Sequence, residues 1–407
     1  MLKNLILIAV SVAAVLVLSF ACDWAVGKAA PEPRLPGVLE LIFPPHAQQT
    51  FETTEFKYTA HINSLGLRER ELPPERGDVF RIVAIGDSYT YGWGVEQEQT
   101  WLRLLEELLA AQGYPVQTVN LGKPGSGPPD YAALAERAVP ILRPDLILVV
   151  LLQGNDLGAA GPENVTVPKG NRFDFLRQIY PNTIRLLHDL RRNRDFGNRG
   201  QQEMPPQKSS GEDNRRWAAN TAQEFHEKMT PEERARFDAL EDRVKEAFLT
   251  GNLNPYLIDL ALKNPQFYCL TMDLENPWTK TCIERTAGQL ARIKKVADDF
   301  GATALVLSIP EGAYVNEEAL RNIRRVGYNV PDNLIDNTAP DEGIRLAAER
   351  AGLPFLSVSD AFRARRTETG LFYELDGHLT VAGHRLYGEA LSEALTGAFS
   401  DLLPARQ

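Results

Sequence analysis

The chain has 407 residues, 43% hydrophobic and 24% charged, which is an ordinary globular composition with room for one large α/β domain plus an insertion, or for two domains. A net charge of −10, with no run rich in Lys and Arg, argues against nucleic acid as the main partner. The three cysteines lack CxxC spacing and the six histidines are scattered, so we expect no metal site.

The amino terminus carries an apolar run without charge over residues 5–22, preceded by Lys3. As a helix this run would reach roughly 27 Å, about the thickness of a hydrocarbon core. Lys3 favours an amino terminus on the cytoplasmic side. We therefore expect residues 1–30 to form an uncleaved anchor that holds the body outside the cytoplasm. A cleaved signal peptide and a lipoprotein modified at Cys22 are alternatives, and both also export the body.

Residues 31–78 are predicted to be a proline-rich linker followed by an edge segment, with a short extended piece over 61–71. A regular alternation of strands and helices begins at Val79 and defines the first part of a core, residues 79–156. Apolar runs bounded by turn residues predict buried strands, and 3.6-residue periodicity predicts helices. The predicted strands are 79–85, 116–121 and 146–152, and the predicted helices are 100–112 and 130–141.

The alternation stops over residues 157–281, where we expect a helical insertion of roughly 120 residues. Within it, residues 201–214 are predicted to be a mobile loop and 231–249 one amphipathic helix. Residues 282–400 form the second part of the core. Helices are predicted there at 283–300, 317–325, 340–351 and 381–398, and strands at 304–309 and 354–358. Strands that alternate with helices predict an α/β fold, a parallel sheet in a three-layer αβα sandwich.

Polar and glycine residues follow three of the predicted strands at their carboxyl ends. Ser88 ends a Gly-Asp-Ser turn, a glycine-rich loop spans 122–127, and Asn155 follows the third strand. Because the carboxyl ends of parallel strands share one edge of the sheet, the three loops can meet. A serine nucleophile, backbone N–H groups made approachable by glycine, and a neutral amide donor are what acyl transfer through an oxyanion requires.

A base for this chemistry is available near the carboxyl terminus, just before the last predicted helix. His378 has a side chain whose pKa suits proton transfer near neutral pH. Asp376, two residues earlier, can hold the other ring nitrogen. The alternative is that Asp376 and Thr380 only cap the helix and that His378 lies on the surface.

These four blocks resemble the SGNH (GDSL-like) serine hydrolase superfamily. Gly-Asp-Ser at 86–88 resembles its first block, and Asn-Leu-Gly-Lys-Pro-Gly at 120–125 its second. Gly-Asn-Asp at 154–156 resembles the third, and Asp-Gly-His at 376–378 the last, although the common family spacing there is Asp-x-x-His. The amino-terminal run and the segment at 63–68 are also similar to a membrane-anchored bacterial subgroup.

The resemblance implies a three-layer αβα sandwich with a mostly parallel, flavodoxin-like sheet and an esterase without metal or cofactor. It assigns Ser88, His378 and Asp376 as the catalytic triad, and Ser88, Gly125 and Asn155 as the oxyanion donors. An exported, membrane-tethered body indicates a substrate in the envelope, an ester of an acylated glycan, peptidoglycan or lipid, at the outer side of a bacterial inner membrane. Three alternatives remain: a polysaccharide O-acetyltransferase, a phospholipase or thioesterase with a long apolar channel that the insertion over 157–281 could supply, and a non-catalytic envelope scaffold.

Other residues have less specific patterns. Asp87 is predicted to stabilise the turn before Ser88, and His384 to be packed or exposed within the last helix. Tyr89, Tyr91 and Trp93 could be core or could line an acyl or sugar pocket. Three further histidines are expected to be structural or exposed: His61, His188 and His226. Cys269 and Cys282 could pair in an oxidising compartment or remain two buried thiols. The insertion could be a lid or wall of the site, or a surface elaboration.

Overall fold

The fold is described from a computed structural model, which covers residues 2–29, 35, 37–159, 179–180, 182–183, 186 and 208–406. The chain divides into two compact units. The first comprises residues 1–36, 73–77 and 168–203, and the second comprises 37–72, 78–167 and 204–407.

The first unit contains one long helix, α1, over Leu2–Ala29. Ser19 and Tyr180 share a hydrogen bond of 2.8 Å, and Asp23 accepts one from the backbone N–H of Thr183 at 2.7 Å. Among the described residues, no helix is both long and apolar enough to cross a membrane. The anchor over residues 5–22 remains a prediction.

The second unit is built on five parallel strands in the order β4-β3-β5-β7-β8. The three strands at the centre are buried almost throughout, because their apolar side chains are covered on both faces. This order matches the flavodoxin-like arrangement and confirms the predicted fold class. The strands are β3 Phe80–Gly86, β4 Val116–Gly122, β5 Leu146–Leu152, β7 Thr303–Ile309 and β8 Phe355–Ser357.

Helices pack on the two faces of this sheet in two groups. One group is α4 (Pro128–Leu142), α9 (Pro277–Phe300) and α11 (Ala339–Arg350). The other is α3 (Trp101–Ala111) and α13 (Val381–Thr396). The right-handed crossovers from β3 to β4 and from β4 to β5 run in opposite directions along the sheet, so their helices lie on opposite faces. The other helices of the core are α2 Ser88–Tyr91, α10 Glu317–Arg325 and α12 Ser359–Arg363.

The described part of the insertion is mainly helical, with α5 Gly211–Lys228, α6 Pro231–Asp238, α7 Asp242–Leu249 and α8 Pro255–Lys263. The single helix predicted over 231–249 is divided because the chain turns at 239–241, which lets Phe237 and Phe248 pack together. The prediction of a loop over residues 201–214 is wrong for the second half of that range. The hydroxyl of Ser210 caps α5 by accepting the backbone N–H of Asp213, and the carboxylate of Asp213 accepts the backbone N–H of Ser210. Residues 201–207 lie outside the described residues.

A small sheet that the sequence did not predict precedes the core. β1 (Gln48–Glu52) and β2 (Lys57–His61) form an antiparallel hairpin, and β6 (Lys208–Ser209) adds to β1 in parallel. The piece over 61–71, predicted to be extended, is instead a series of turns. The side chain of Asn63 accepts the backbone N–H groups of Leu65 and Leu67, which holds the chain in that turn.

Candidate active site

The carboxyl end of β3 delivers Ser88 to the edge of the sheet. Asp87 caps the short helix α2, because its carboxylate accepts the backbone N–H of Tyr89 at 3.0 Å. This confirms the turn-stabilising interpretation of Asp87. The hydroxyl of Ser88 lies 2.7 Å from Nε2 of His378, although 290 residues separate the two in sequence.

His378 is held from its other side by Asp376. Their Nδ1 and Oδ1 atoms are 2.5 Å apart, and the second carboxylate oxygen of Asp376 accepts the indole N–H of Trp93 at 3.3 Å. The ring of Tyr89 lies against the imidazole, with centroids 4.7 Å apart. The shorter Asp-x-His spacing therefore brings carboxylate, imidazole and hydroxyl into one hydrogen-bonded row.

Electrostatics around His378 favour its protonated form. Burial lowers its pKa, but the carboxylates of Asp376, Asp87 and Glu311 outweigh burial and raise the pKa above 6.5. Nδ1 faces a carboxylate and therefore carries the proton in the neutral ring, which leaves Nε2 free to accept one from Ser88.

Gly125 and Asn155 line the same cavity as Ser88 and His378. Gly125 has φ +74°, and a Cβ added there would meet nothing within 4 Å, so its backbone faces open space. Gly122 differs, because a Cβ there would lie 2.1 Å from the backbone nitrogen of Tyr91. Gly125 is therefore open to the cavity, whereas Gly122 allows β4 to pack closely against α2.

The turn that carries Asn155 is fixed by its neighbour Asp156. This buried carboxylate accepts the backbone N–H of Leu152 at 2.9 Å and the hydroxyl of Tyr131 at 3.0 Å. Burial raises the pKa of Asp156 well above its usual range. Asp156 therefore acts on the site through the position of Asn155.

Two carboxylates that the sequence analysis missed support the site. Glu311 follows the carboxyl end of β7, is buried, lines the cavity and lies 3.2 Å from the hydroxyl of Tyr89. Burial raises its pKa to about 7. Glu55, in the β1–β2 turn, accepts the backbone N–H groups of Leu375 and Asp376. Glu311 had a signal, since it too follows a predicted strand, whereas nothing in the sequence pointed to Glu55.

Arg68 is buried behind the short helix α2 that begins at Ser88. Its guanidinium donates to the carbonyls of Tyr91, Gly92 and Val95 at 3.0, 2.7 and 2.5 Å. Residues after a short helix have carbonyls that need partners. Arg68 thus fixes the backbone that follows Ser88.

The remaining candidates lie away from the reacting atoms or support them. Tyr91 is buried in the core beside the hairpin, while Tyr89 and Trp93 contact His378 and Asp376. His384 is buried and its Nδ1 accepts the backbone N–H of Trp101 at 3.3 Å. His61 is exposed and His226 contacts Arg234; His188 lies outside the described residues.

Two further features of the described residues concern the cysteines and possible groups of metal ligands. Cys269 and Cys282 are free thiols, and burial raises the pKa of both. Across residues 2–29, 37–159 and 208–406, no three His, Cys, Asp or Glu side chains are grouped so that they could hold a metal ion.

Comparison with known proteins agrees with this geometry. The model of the GDSL-like lipase/acylhydrolase family matches residues 84–255, which include Ser88, Gly125 and Asn155 but not the segment at 376–378. None of the curated proteins compared with the chain matches it.

Two solved structures illustrate the likeness. The lipase/acylhydrolase from Enterococcus faecalis is 12% identical, with 81% of this chain and 100% of that one covered and a TM-score of 0.37. A catalytic mutant of an acetylxylan esterase from Geobacillus stearothermophilus is 13% identical, with 80% and 97% covered and a TM-score of 0.35. Residues 84–255 thus match the GDSL-like lipase/acylhydrolase family, and this match supports a hydrolase that acts on esters.

Proposed function

We propose that the chain is a serine esterase in which Ser88 is the nucleophile, His378 the base and Asp376 the residue that orients the base. The observation that carries this proposal is the row of two hydrogen bonds, 2.7 Å from Ser88 to His378 and 2.5 Å from His378 to Asp376. A nucleophile, a base and an orienting acid in contact are what nucleophilic acyl transfer requires.

In the first half of the reaction, Ser88 Oγ attacks the acyl carbonyl carbon while Nε2 of His378 takes the hydroxyl proton. The charge that develops on the carbonyl oxygen is stabilised by the backbone N–H groups of Ser88 and Gly125 and by the amide of Asn155. His378 then gives its proton to the leaving alkoxide as the ester C–O bond breaks. In the second half, water attacks the acyl carbon on Ser88 while His378 takes its proton. The bond to Ser88 Oγ then breaks, His378 returns the proton to Ser88, and the acid is released.

The proposal includes an exported enzyme that acts on acylated envelope glycan or lipid, tethered through residues 5–22. Its support is the uncharged apolar sequence of that run and the exposure of apolar side chains along α1, for example Leu7, Val10 and Val17. Fractionation and protease accessibility of intact spheroplasts test this part. Recovery of the chain in the cytoplasmic fraction would contradict it.

The catalytic assignment is tested by labelling the full chain with a fluorophosphonate, which reacts with activated serines. We expect one labelled site and loss of the label in Ser88→Ala. Hydrolysis of p-nitrophenyl acetate should be lost in the same variant. Labelling and hydrolysis that persist in Ser88→Ala would show that the nucleophile lies elsewhere.

A further inference from the structure

The cavity beside Ser88 extends well beyond the reacting atoms. Its volume is about 230 Å³, and most of the residues that line it are outside the proposed triad and oxyanion donors. A cavity of roughly 150 Å³ can hold a ligand the size of benzene. The space therefore exceeds what an acetyl group needs.

One wall of this extension comes from α10. Ala319, Ile323 and Val326 line the cavity; the first two are on α10 and the third is the residue that ends it. Residues spaced by four and three positions lie on one face of a helix, so this row forms a largely apolar strip. Ile323 and Val326 are also buried.

The facing wall comes from the insertion. Leu257 and Leu260 of α8 line the cavity, as does Phe267 in the turn that follows this helix. Leu257 and Phe267 pack against the main hydrophobic core, whereas Leu260 is 36% exposed. The insertion is thus a wall of the cavity, and its contribution there is mainly apolar, with Asn254 and the hydroxyls of Tyr256 and Tyr268 as the polar groups.

Asn322 is the polar residue within the α10 strip. It is 8% exposed, and its amide nitrogen has no hydrogen-bond partner among the described residues. An unpaired buried amide disfavours a closely packed apolar ligand, because the group stays unsatisfied. Replacing Asn322 with an apolar residue should therefore strengthen the binding of an apolar ligand.

We propose that α8, Phe267 and α10 form an acyl-chain pocket, so that the enzyme prefers esters of medium-length acids, of about six to eight carbons, to acetates. This inference rests on the proposed function, since the chain that fills the pocket is the acyl group carried on Ser88. Each methylene buried there should raise kcat/KM by up to about fourfold.

The test compares p-nitrophenyl octanoate with p-nitrophenyl acetate, using the full chain. We expect the octanoate-to-acetate ratio of kcat/KM to exceed about tenfold in the wild type. Leu260→Trp adds bulk inside the pocket and should lower that ratio at least tenfold. Leu249→Trp is the matched control, because Leu249 is also 36% exposed and in the insertion but does not line the cavity. Its ratio should equal that of the wild type.

A second variant removes the unpaired amide. Asn322→Leu should raise the octanoate-to-acetate ratio, since an apolar group replaces a buried unsatisfied donor. A fall would assign a polar substrate group to this wall and overturn the proposal, and so would a wild type that prefers acetate or a ratio unmoved by Leu260→Trp. Absence of hydrolysis of both esters would instead contradict the proposed function.

Discussion

Glu55 accepts a hydrogen bond of 2.9 Å from the backbone N–H of Asp376, the residue that holds His378. The same carboxylate accepts the N–H of Leu375 at 3.0 Å. Burial raises the pKa of Glu55, and its bonds to these backbone groups oppose that rise. A turn of the amino-terminal hairpin therefore positions Asp376, the residue proposed to orient the base.

Replacing Glu55 tests this positioning role. Glu55→Ala should lower kcat/KM for p-nitrophenyl acetate by about 10- to 100-fold, because a misplaced Asp376 no longer orients His378. Asp376 would also raise the pKa of His378 less, so the inflection of the pH–kcat/KM profile should move to lower pH. Glu55→Gln, which keeps an acceptor oxygen, should recover part of the loss.

Glu71→Ala is the control for this change, since Glu71 also accepts a backbone N–H, that of Ser64, but in an exposed position. Its profile should match that of the wild type. An unshifted inflection in Glu55→Ala, whatever its rate, would make Glu55 a purely structural residue.

Asn155 is expected to act on the transition state alone. Asn155→Ala should lower kcat by about 10²–10³-fold while KM changes little, because the amide donates only once charge develops on the substrate oxygen. Steady-state kinetics on p-nitrophenyl acetate measure both constants. Normal kcat in this variant would reassign Asn155 to a structural turn.

The pH dependence of catalysis should report the carboxylates around His378. Base catalysis needs the neutral ring, so kcat/KM should rise with pH through the pKa of His378, which lies above 6.5. Glu311→Gln removes one of the charges that raise this pKa and should move the inflection to lower pH. The amide oxygen can still accept from Tyr89.

Glu374→Gln is the matched control for Glu311→Gln. Glu374 lines the same cavity but is paired with Arg243 and Arg325, and it is not among the largest influences on the pKa of His378. The inflection of the pH–kcat/KM profile of Glu374→Gln should not move. Equal shifts in both variants would attribute the effect to general charge at the cavity rather than to Glu311.

His384 should make the folded state sensitive to acid. Burial lowers its pKa from 6.5 to about 3, so between these values the folded protein binds fewer protons than the unfolded chain. Its contribution to stability is therefore complete above pH 6.5 and declines below it, by up to about 1.4 kcal/mol per pH unit. Denaturant unfolding from pH 7 to 4.5 measures this slope. His384→Gln should flatten it, and an unchanged slope would place the acid sensitivity in other groups.

The strands of the main sheet could be predicted because their signals are local. β3 and β5, for example, are apolar runs that end at a glycine or a polar residue, and Ser88, Gly125 and Asn155 follow β3, β4 and β5 where predicted. The β1–β2 hairpin could not be predicted, because β1 is half-buried along its whole length and has neither an apolar run nor a clean alternation of apolar and polar residues. Glu55 was missed for the same reason. Its partners lie 320 residues away, so its importance depends on tertiary packing alone.

The pairing of β1 with β6 has a consequence for where the chain can be shortened. A fragment that begins at residue 79 would keep all five strands of the main sheet together with Ser88, Asp376 and His378. It would also leave β6 without its neighbour, the N–H groups of Leu375 and Asp376 without their acceptor, and three carbonyls beside the nucleophile helix without Arg68. Expression boundaries for this protein should therefore start before Gln48, because a fragment cut at the first core strand would contain every reacting group but not the scaffold that aligns them.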